Sequence, residues 1–213
     1  KSEENIKNNL LKIFIFYTIL SLIYFTLLNI SGVRLFNSLN LTMTLVSNGG
    51  FLPSDSLNDI IVTNFQKIIL ILTLIFSMLN FYFLFNIFNR RALLRSHNED
   101  FYLLAFTALF VLLIYFNDFE GLDIITGVLS SLSNSGITLL ETNNNLSLYF
   151  LLLTIVGGSL ISNTSGIKLS RFYILLKITA AEIIKLISPN SIINKTIFNS
   201  ENKINEDNVK ISF

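Results

Sequence analysis

Two short polar bends, each carrying a glycine, are the stretches of this sequence best suited to chemistry. They read Ser47-Asn48-Gly49-Gly50-Phe51 and Ser133-Asn134-Ser135-Gly136-Ile137. A cation filter replaces the lost hydration shell with main-chain carbonyl oxygens, several of which must point the same way. Glycine adopts the backbone dihedrals that this requires more readily than other residues. We therefore predict that carbonyls of both bends bind a monovalent cation, with Gly50 and Gly136 as the essential residues.

The surroundings of the two bends leave a second interpretation open. A short apolar helix is predicted to end at each bend, so the negative end of its dipole would face a cation. Ser, Asn and Gly are also the usual residues of exposed turns between helices. Asp55 and Glu141 follow the bends at a distance of several residues. There they either concentrate cations at a mouth or are ordinary solvated loop charges.

A third polar stretch, residues 157–168, interrupts an apolar region. Residues 146–156 lead into it and residues 169–187 lead out, and either half alone is short of the roughly 20 apolar residues that cross a bilayer. Non-helical backbone at membrane depth survives only where protein covers it or water reaches it, and such breaks mark transport pathways. We predict a broken membrane helix here. The alternative is a loop between two interfacial helices.

Lys168 closes this polar stretch and needs an explanation of its own. A cation at the bilayer centre costs about 3 kcal/mol on insertion scales. Our hypothesis is that Lys168 holds the loop by contacting carbonyl groups or a neighbouring unit. In the alternative, Lys168 already lies at the cytoplasmic interface and extends its side chain to water.

The composition is typical of a membrane protein and excludes several classes of site. Of 213 residues, 52% are hydrophobic and 14% are charged, with a mean hydropathy of +0.63. Soluble domains carry nearer a quarter charged residues. The net charge of +1 suggests no nucleic-acid partner, and the absence of Cys with a single His leaves little for thiol, metal or acid–base chemistry. The glycines of the third stretch have the wrong spacing for a phosphate-binding loop. We therefore predict that the protein is not an enzyme and needs no cofactor.

The apolar pattern places these stretches on helices, and the same order of elements occurs twice. The first unit, residues 1–88, has spans at 10–30 and 61–88 and a short helix at 33–46. A connector, residues 89–100, is predicted to be cytoplasmic because of its arginines. The second unit, residues 101–187, has a span at 101–116, a short helix at 120–132 and the broken helix. Residues 188–213 read as a cytoplasmic linker or tail.

This arrangement predicts the fold class. We expect an all-α membrane protein with two repeats, each made of an outer helix, a re-entrant pore helix with its filter loop, and an inner helix. An intramembrane loop breaks the last inner helix. The bilayer is therefore an expected partner.

These residues resemble the Trk/Ktr/HKT superfamily of potassium transporters, over nearly the whole chain from Leu10 onward. The run GGSLISNTSGIK at residues 157–168 is similar to the family pattern G-G-small-x-x-S-T-x-G-G-I-K. The bends resemble the filters of the second and third of the family's four pore-loop units. The resemblance implies that residues 157–168 lie under the filter and gate potassium flow. The gate residues would be Gly157, Gly158, Ser159, Ser162, Asn163, Thr164, Ser165, Gly166 and Lys168.

The resemblance also implies partners and a location. Family members are homodimers that bind a cytosolic nucleotide-binding regulatory ring of the TrkA type, in the bacterial inner membrane. Potassium would be the substrate. The first and fourth units have no counterpart here, so pore-loop units of the same or another chain must complete the ring. An excerpt of a longer transporter, which the start at Lys1 favours, a set of split chains, and a non-conducting interaction subunit or decayed fragment all remain open.

Five positions depart from the family pattern. Asn48 and Asn134 stand where the family usually has Thr. Ile161, Asn163 and Ser165 stand where it usually has Gly, Thr and Gly. A bulky isoleucine in a gate loop is expected to stiffen that loop or to change its path.

Overall fold

The computed structural model describes residues 2–80, 83–84, 98–115, 121–139 and 144–188, and these residues are largely helical. Within them the chain forms no β-strand, only one isolated bridge. This confirms the all-α class. The described helices are α1 (Ser2–Ile30), α2 (Leu35–Ser47), α3 (Asn64–Met78), α4 (Asn98–Tyr115), α5 (Gly121–Ser133), α6 (Asn144–Ile155) and α7 (Leu169–Ile187).

Two of the described helices, α1 and α4, are long and apolar enough to cross a membrane by length and composition. Most of their residues are not covered by the rest of the chain. On α1 the inward side chains Tyr24 and Leu28 are fully buried, whereas Phe14 is 71% exposed. Both helices therefore present apolar side chains outward as well as inward, which suits a surface in contact with lipid.

The short helices α2 and α5 lie inside this frame. Helix α2 packs on α1 and α3, and α5 packs on α3, α4 and α6. The α3–α5 contact also holds an ion pair, because Lys67 Nζ lies 2.7 Å from Asp123 Oδ1. Thus the two predicted units meet through the inner helix of one and the short helix of the other.

Helices α2 and α5 end in the same way. The N–H of Gly49 donates to the carbonyl of Thr44 at 3.1 Å, and the N–H of Ser135 donates to the carbonyl of Ser130 at 3.1 Å. In each case the residue that directly follows the helix is an asparagine in the left-handed region. Its φ is 52° at Asn48 and 57° at Asn134. Apart from glycine, asparagine is the residue that best tolerates the left-handed conformation at the end of a helix.

Helix α3 ends at Met78, well before residue 88, where the sequence predicted its end. Leu79 is extended, with φ −76° and ψ 158°. The reason lies in distant contacts. The Met78 carbonyl accepts a hydrogen bond from Ser159 N at 3.0 Å, and Asn80 N donates to Asp100 Oδ1 at 3.0 Å.

Several predicted segments lie outside the described residues. They include most of the remainder of the predicted span up to residue 88, most of the connector at 89–100, and the tail from residue 189. Glu141 and the start of the predicted short helix at residue 120 lie outside as well.

Candidate functional site

The structure brings the first bend (residues 47–51) and the second bend (residues 133–137) together. A Cβ atom added at Gly50 would lie 2.7 Å from the Ser135 carbonyl oxygen and 3.9 Å from Gly136 Cα. Both glycines have positive φ, 73° at Gly50 and 69° at Gly136. The two bends therefore share one site, and their backbones have the conformation that glycine permits.

Side-chain hydroxyl groups form hydrogen bonds at both bends. At the first bend the Thr44 hydroxyl donates to the Phe51 carbonyl. At the second, Ser135 Oγ lies 3.1 Å from Ser130 Oγ and 3.1 Å from Ser133 Oγ. Side-chain hydroxyls that bond within the short helix and its bend restrict where the bend carbonyls point.

The side chains of Asn48 and Asn134 bring buried polar groups to the same site. Among the described residues, both amide atoms of Asn48 and the Nδ2 of Asn134 are buried without a hydrogen-bond partner. Buried polar groups in proteins are ordinarily satisfied by protein or by ordered water. Asn134 Nδ2 also lies 3.1 Å from the position of a Cβ added at Gly166. The loop after α6 therefore touches the second bend.

That loop, residues 157–168 and hereafter the gate loop, separates α6 from α7. Its two ends are tied together, since Gly157 N donates to the Ile167 carbonyl at 2.8 Å and Ile167 N donates to the Ile155 carbonyl at 3.0 Å. Val156 and Ile167 form a parallel bridge here. A Cβ at Gly157 would collide with the Ser165 carbonyl oxygen, so this closed base requires glycine.

Glycine is needed at the next position too. A Cβ at Gly158 would lie 2.6 Å from the Met78 carbonyl oxygen and 2.7 Å from Thr164 Oγ1. The Gly158 N–H donates to Thr164 Oγ1 at 2.8 Å, and Ser162 Oγ lies 2.9 Å from that hydroxyl. The polar residues of the gate loop thus bond mainly to one another.

Lys168 turns back into the gate loop. Its Nζ donates to the carbonyls of Thr164 and Ser162, the second at 3.2 Å. It also reaches the hydroxyls of Ser162 at 3.3 Å and Thr164 at 3.1 Å. These are the carbonyl contacts that our hypothesis for Lys168 required.

Asn163 ties the gate loop to the first unit. Its Nδ2 donates to Tyr17 Oη at 2.8 Å and to the Val46 carbonyl at 2.6 Å. The Tyr17 hydroxyl donates to the same carbonyl at 2.8 Å. Val46 is the last residue but one of α2, so the gate loop contacts the end of one short helix and, through Asn134, the bend of the other.

Two further residues singled out in the sequence, Ile161 and Asp55, are exposed. Ile161 stands at the tip of the gate loop and is 42% exposed, so the described residues leave it room. Asp55 is exposed beyond the first bend, as expected for a solvated charge.

Among the described residues, Glu99 is a charged residue at the site that the sequence analysis did not indicate. Glu99 Oε1 accepts hydrogen bonds from Leu160 N at 2.9 Å and from Ser170 N at 3.3 Å. In the sequence Glu99 belongs to a charged connector, where an acidic residue looks solvated. The only available signal was its place at the start of a helix, which many surface residues share.

The chain is similar in sequence to a cation transporter and similar in fold to a solved membrane transporter. No family model matches the chain. An uncharacterized cation transporter of Methanocaldococcus jannaschii is 31% identical over 187 residues, which cover 84% of this chain and 37% of the relative. The crystal structure of the potassium transporter TrkH from Vibrio parahaemolyticus has a TM-score of 0.85 at 16% identity. It covers 97% of this chain, which spans 47% of TrkH.

These matches establish the fold and leave the activity open. The described chain has the fold of the TrkH membrane transporter, which agrees with the fold class predicted from the sequence. The chain spans less than half the length of each of the two proteins named here.

Proposed function

We propose that this chain is part of an integral membrane subunit that conducts a monovalent cation, potassium, through a filter lined by main-chain carbonyls. The filter carbonyls belong to Ser47, Asn48, Gly49 and Gly50 of the first bend and to Ser133, Asn134, Ser135 and Gly136 of the second. The gate loop controls the passage of ions. The observation that supports this most strongly is the contact of both glycine bends with each other and of the gate loop with the second bend.

The physical argument concerns what replaces water around the ion. Carbonyl dipoles held by a braced backbone coordinate a monovalent cation without a full negative charge, so that the ion is bound and still released. The C-terminal end of a helix adds negative potential, and both α2 and α5 end at a bend. Two bends supply only part of a ring of carbonyl groups around the ion. Units of the same or another chain complete it in this proposal.

The similarities support the choice of ion. The relatives named above are described as a cation transporter and a potassium transporter. By analogy we place the protein in the plasma membrane as a homodimer with a cytosolic nucleotide-binding regulatory subunit of the TrkA type. Transport, rather than catalysis, is the activity that the braced bends and the closed loop suit.

The experiment uses the full-length protein that contains this chain. We expect it to restore growth of a potassium-uptake-deficient bacterium at limiting potassium, and to carry rubidium or potassium flux in proteoliposomes. Protein present in the membrane that carries no flux would contradict the proposal and favour a non-conducting subunit.

A substitution of Lys168 tests the proposed gate role of residues 157–168. Lys168→Met keeps the length of the side chain and removes its hydrogen bonds to the loop. Loss of one hydrogen bond to a charged group, about 1.5 kcal/mol, shifts a two-state equilibrium about tenfold. We therefore expect a change in basal flux on the order of tenfold. Lys185→Met, an exposed lysine of α7, is the matched control and should leave flux unchanged. Equal flux in both variants would reject the gate role of Lys168.

A further inference from the structure

Helix α4 begins with two acidic residues whose carboxylates both bond to backbone N–H groups of other segments. Glu99 Oε1 accepts from Leu160 N at 2.9 Å and from Ser170 N at 3.3 Å. Asp100 Oδ1 accepts from Asn80 N at 3.0 Å. The partners of Glu99 lie in the gate loop and in the first turn of α7, and the partner of Asp100 follows the end of α3.

The bond to Ser170 gives α7 a cap that its own residues do not supply. The first N–H groups of a helix have no partner within the helix. Lys168 precedes α7 but makes no side-chain capping bond. A carboxylate is favoured at this position, because hydrogen bonds to charged acceptors are strong and the helix dipole is positive here. Glu99 therefore caps α7 from another helix.

The bond to Leu160 places the same oxygen on the gate loop. The residue before it, Ser159, is held separately, since its N–H donates to the Met78 carbonyl at 3.0 Å. One side of the gate loop is thus fixed to α3 and α4, which lie outside the broken helix itself.

We propose that Glu99 is a positioning residue that latches the gate loop. The inference rests on the proposed function, because it assumes that the loop controls ion passage. The hydrogen bonds of Glu99 described here go to Leu160 and Ser170, which lie outside the bends. This latch, formed by the hydrogen bonds of Glu99, determines how firmly the gate loop is held. Ion selectivity is determined by the filter.

Two substitutions and one control in the full-length protein test the latch. Glu99→Ala removes both hydrogen bonds. Glu99→Gln keeps an acceptor oxygen and removes the charge. Glu182→Ala removes an exposed carboxylate on α7 and is the matched control.

The first readout is cation flux in proteoliposomes. We expect basal flux of Glu99→Ala to differ from wild type by roughly fivefold or more, because one charge-assisted hydrogen bond to the loop and one to the first turn of α7 are lost. Glu99→Gln should lie between Glu99→Ala and wild type. The ratio of potassium to sodium flux should stay at its wild-type value in all variants, whereas general damage to the fold would alter it. Wild-type flux in Glu99→Ala would overturn the latch.

The second readout does not depend on transport. This chain contains no cysteine, so Ser159→Cys introduces one thiol at a fully buried position of the gate loop. In a full-length protein freed of any other cysteines, its labelling rate by a maleimide reports how often the loop opens. We expect labelling to be roughly fivefold faster with Glu99→Ala and unchanged with Glu182→Ala.

The two readouts separate the latch from the proposed function. Faster labelling in a protein that carries no flux would support the latch and reject the transport proposal. Flux in wild type with equal labelling in all variants would reject the latch and leave the transport proposal standing. If Glu99→Ala does not accumulate, Glu99→Gln decides, and labelling at the wild-type rate would overturn the latch.

Discussion

Gly50 and Gly136 occupy equivalent bends but have different surroundings. The Ser135 carbonyl lies against Gly50, whereas among the described residues nothing lies within 4 Å of a Cβ at Gly136. The backbone of both glycines is equally unfavourable for an L-residue, at about 1 kcal/mol. The difference between the two sites is therefore steric, and it predicts unequal effects of the same substitution.

If the bends form the proposed filter, we expect Gly50→Ala to abolish selective flux, because the new methyl group would displace the Ser135 carbonyl of the other bend. Gly136→Ala should be milder and should retain measurable flux with reduced discrimination between potassium and sodium. Ion flux through the full-length protein and its potassium-to-sodium ratio are the measurements. Gly32→Ala is the control, since Gly32 also has positive φ, 89°, and open space around it. Equal losses in the two bend variants would contradict the argument.

The sequence predicted the glycines of the bends but not the conformation of Asn48 and Asn134. Glycine has a known backbone preference, whereas an asparagine enters the left-handed region only where a helix ends around it. The role of Glu99 in the site could not be predicted from the sequence for a similar reason. Its partners Leu160 and Ser170 are far away along the chain, and a backbone N–H leaves no trace in the sequence.

At the scale of elements, one ion pair joins the two units. Lys67 on α3 and Asp123 in the first turn of α5 approach to 2.7 Å, with side chains only 12% and 19% exposed. Removing one partner of a pair this covered leaves a poorly solvated charge, which destabilises more than removing both.

We expect Lys67→Met or Asp123→Leu alone to lower the free energy of unfolding by about 3 kcal/mol, and the double substitution to recover part of that loss. Thermal unfolding of the detergent-solubilised full-length protein gives the measurement. Additive losses in the double variant would show that the pair contributes no coupling.

Helix positions were more predictable than helix ends. Apolar runs indicated helices in the regions where α1 to α7 lie, and α7 covers residues 169–187. The end of α3 at Met78 could not be read from the sequence, because the residues beyond it are as apolar as those before. What ends the helix is the engagement of the Met78 carbonyl and the Asn80 N–H by Ser159 and Asp100.

At the scale of the molecule, much apolar surface is left uncovered by this chain. Phe51 at the first bend is 82% exposed, and Leu186 near the end of α7 is 85% exposed. Lipid suits the outer face of α1, but an aromatic side chain at the proposed filter needs neighbouring protein or water. In our proposal, further pore-loop units supply those neighbours.

We therefore expect residues 1–213, purified alone in detergent, to unfold without a sharp transition, whereas the full-length protein should unfold cooperatively. Differential scanning fluorimetry at matched detergent concentration compares the two. A sharp, reversible melt of the isolated chain as a monomer would show that it forms a complete folding unit.

The tied base of the gate loop has a mechanical consequence. Because Gly157 N donates to the Ile167 carbonyl, the two ends of the segment between them are held together. In the proposed gate, a displacement of α7 would therefore be transmitted to the loop through this bonded base.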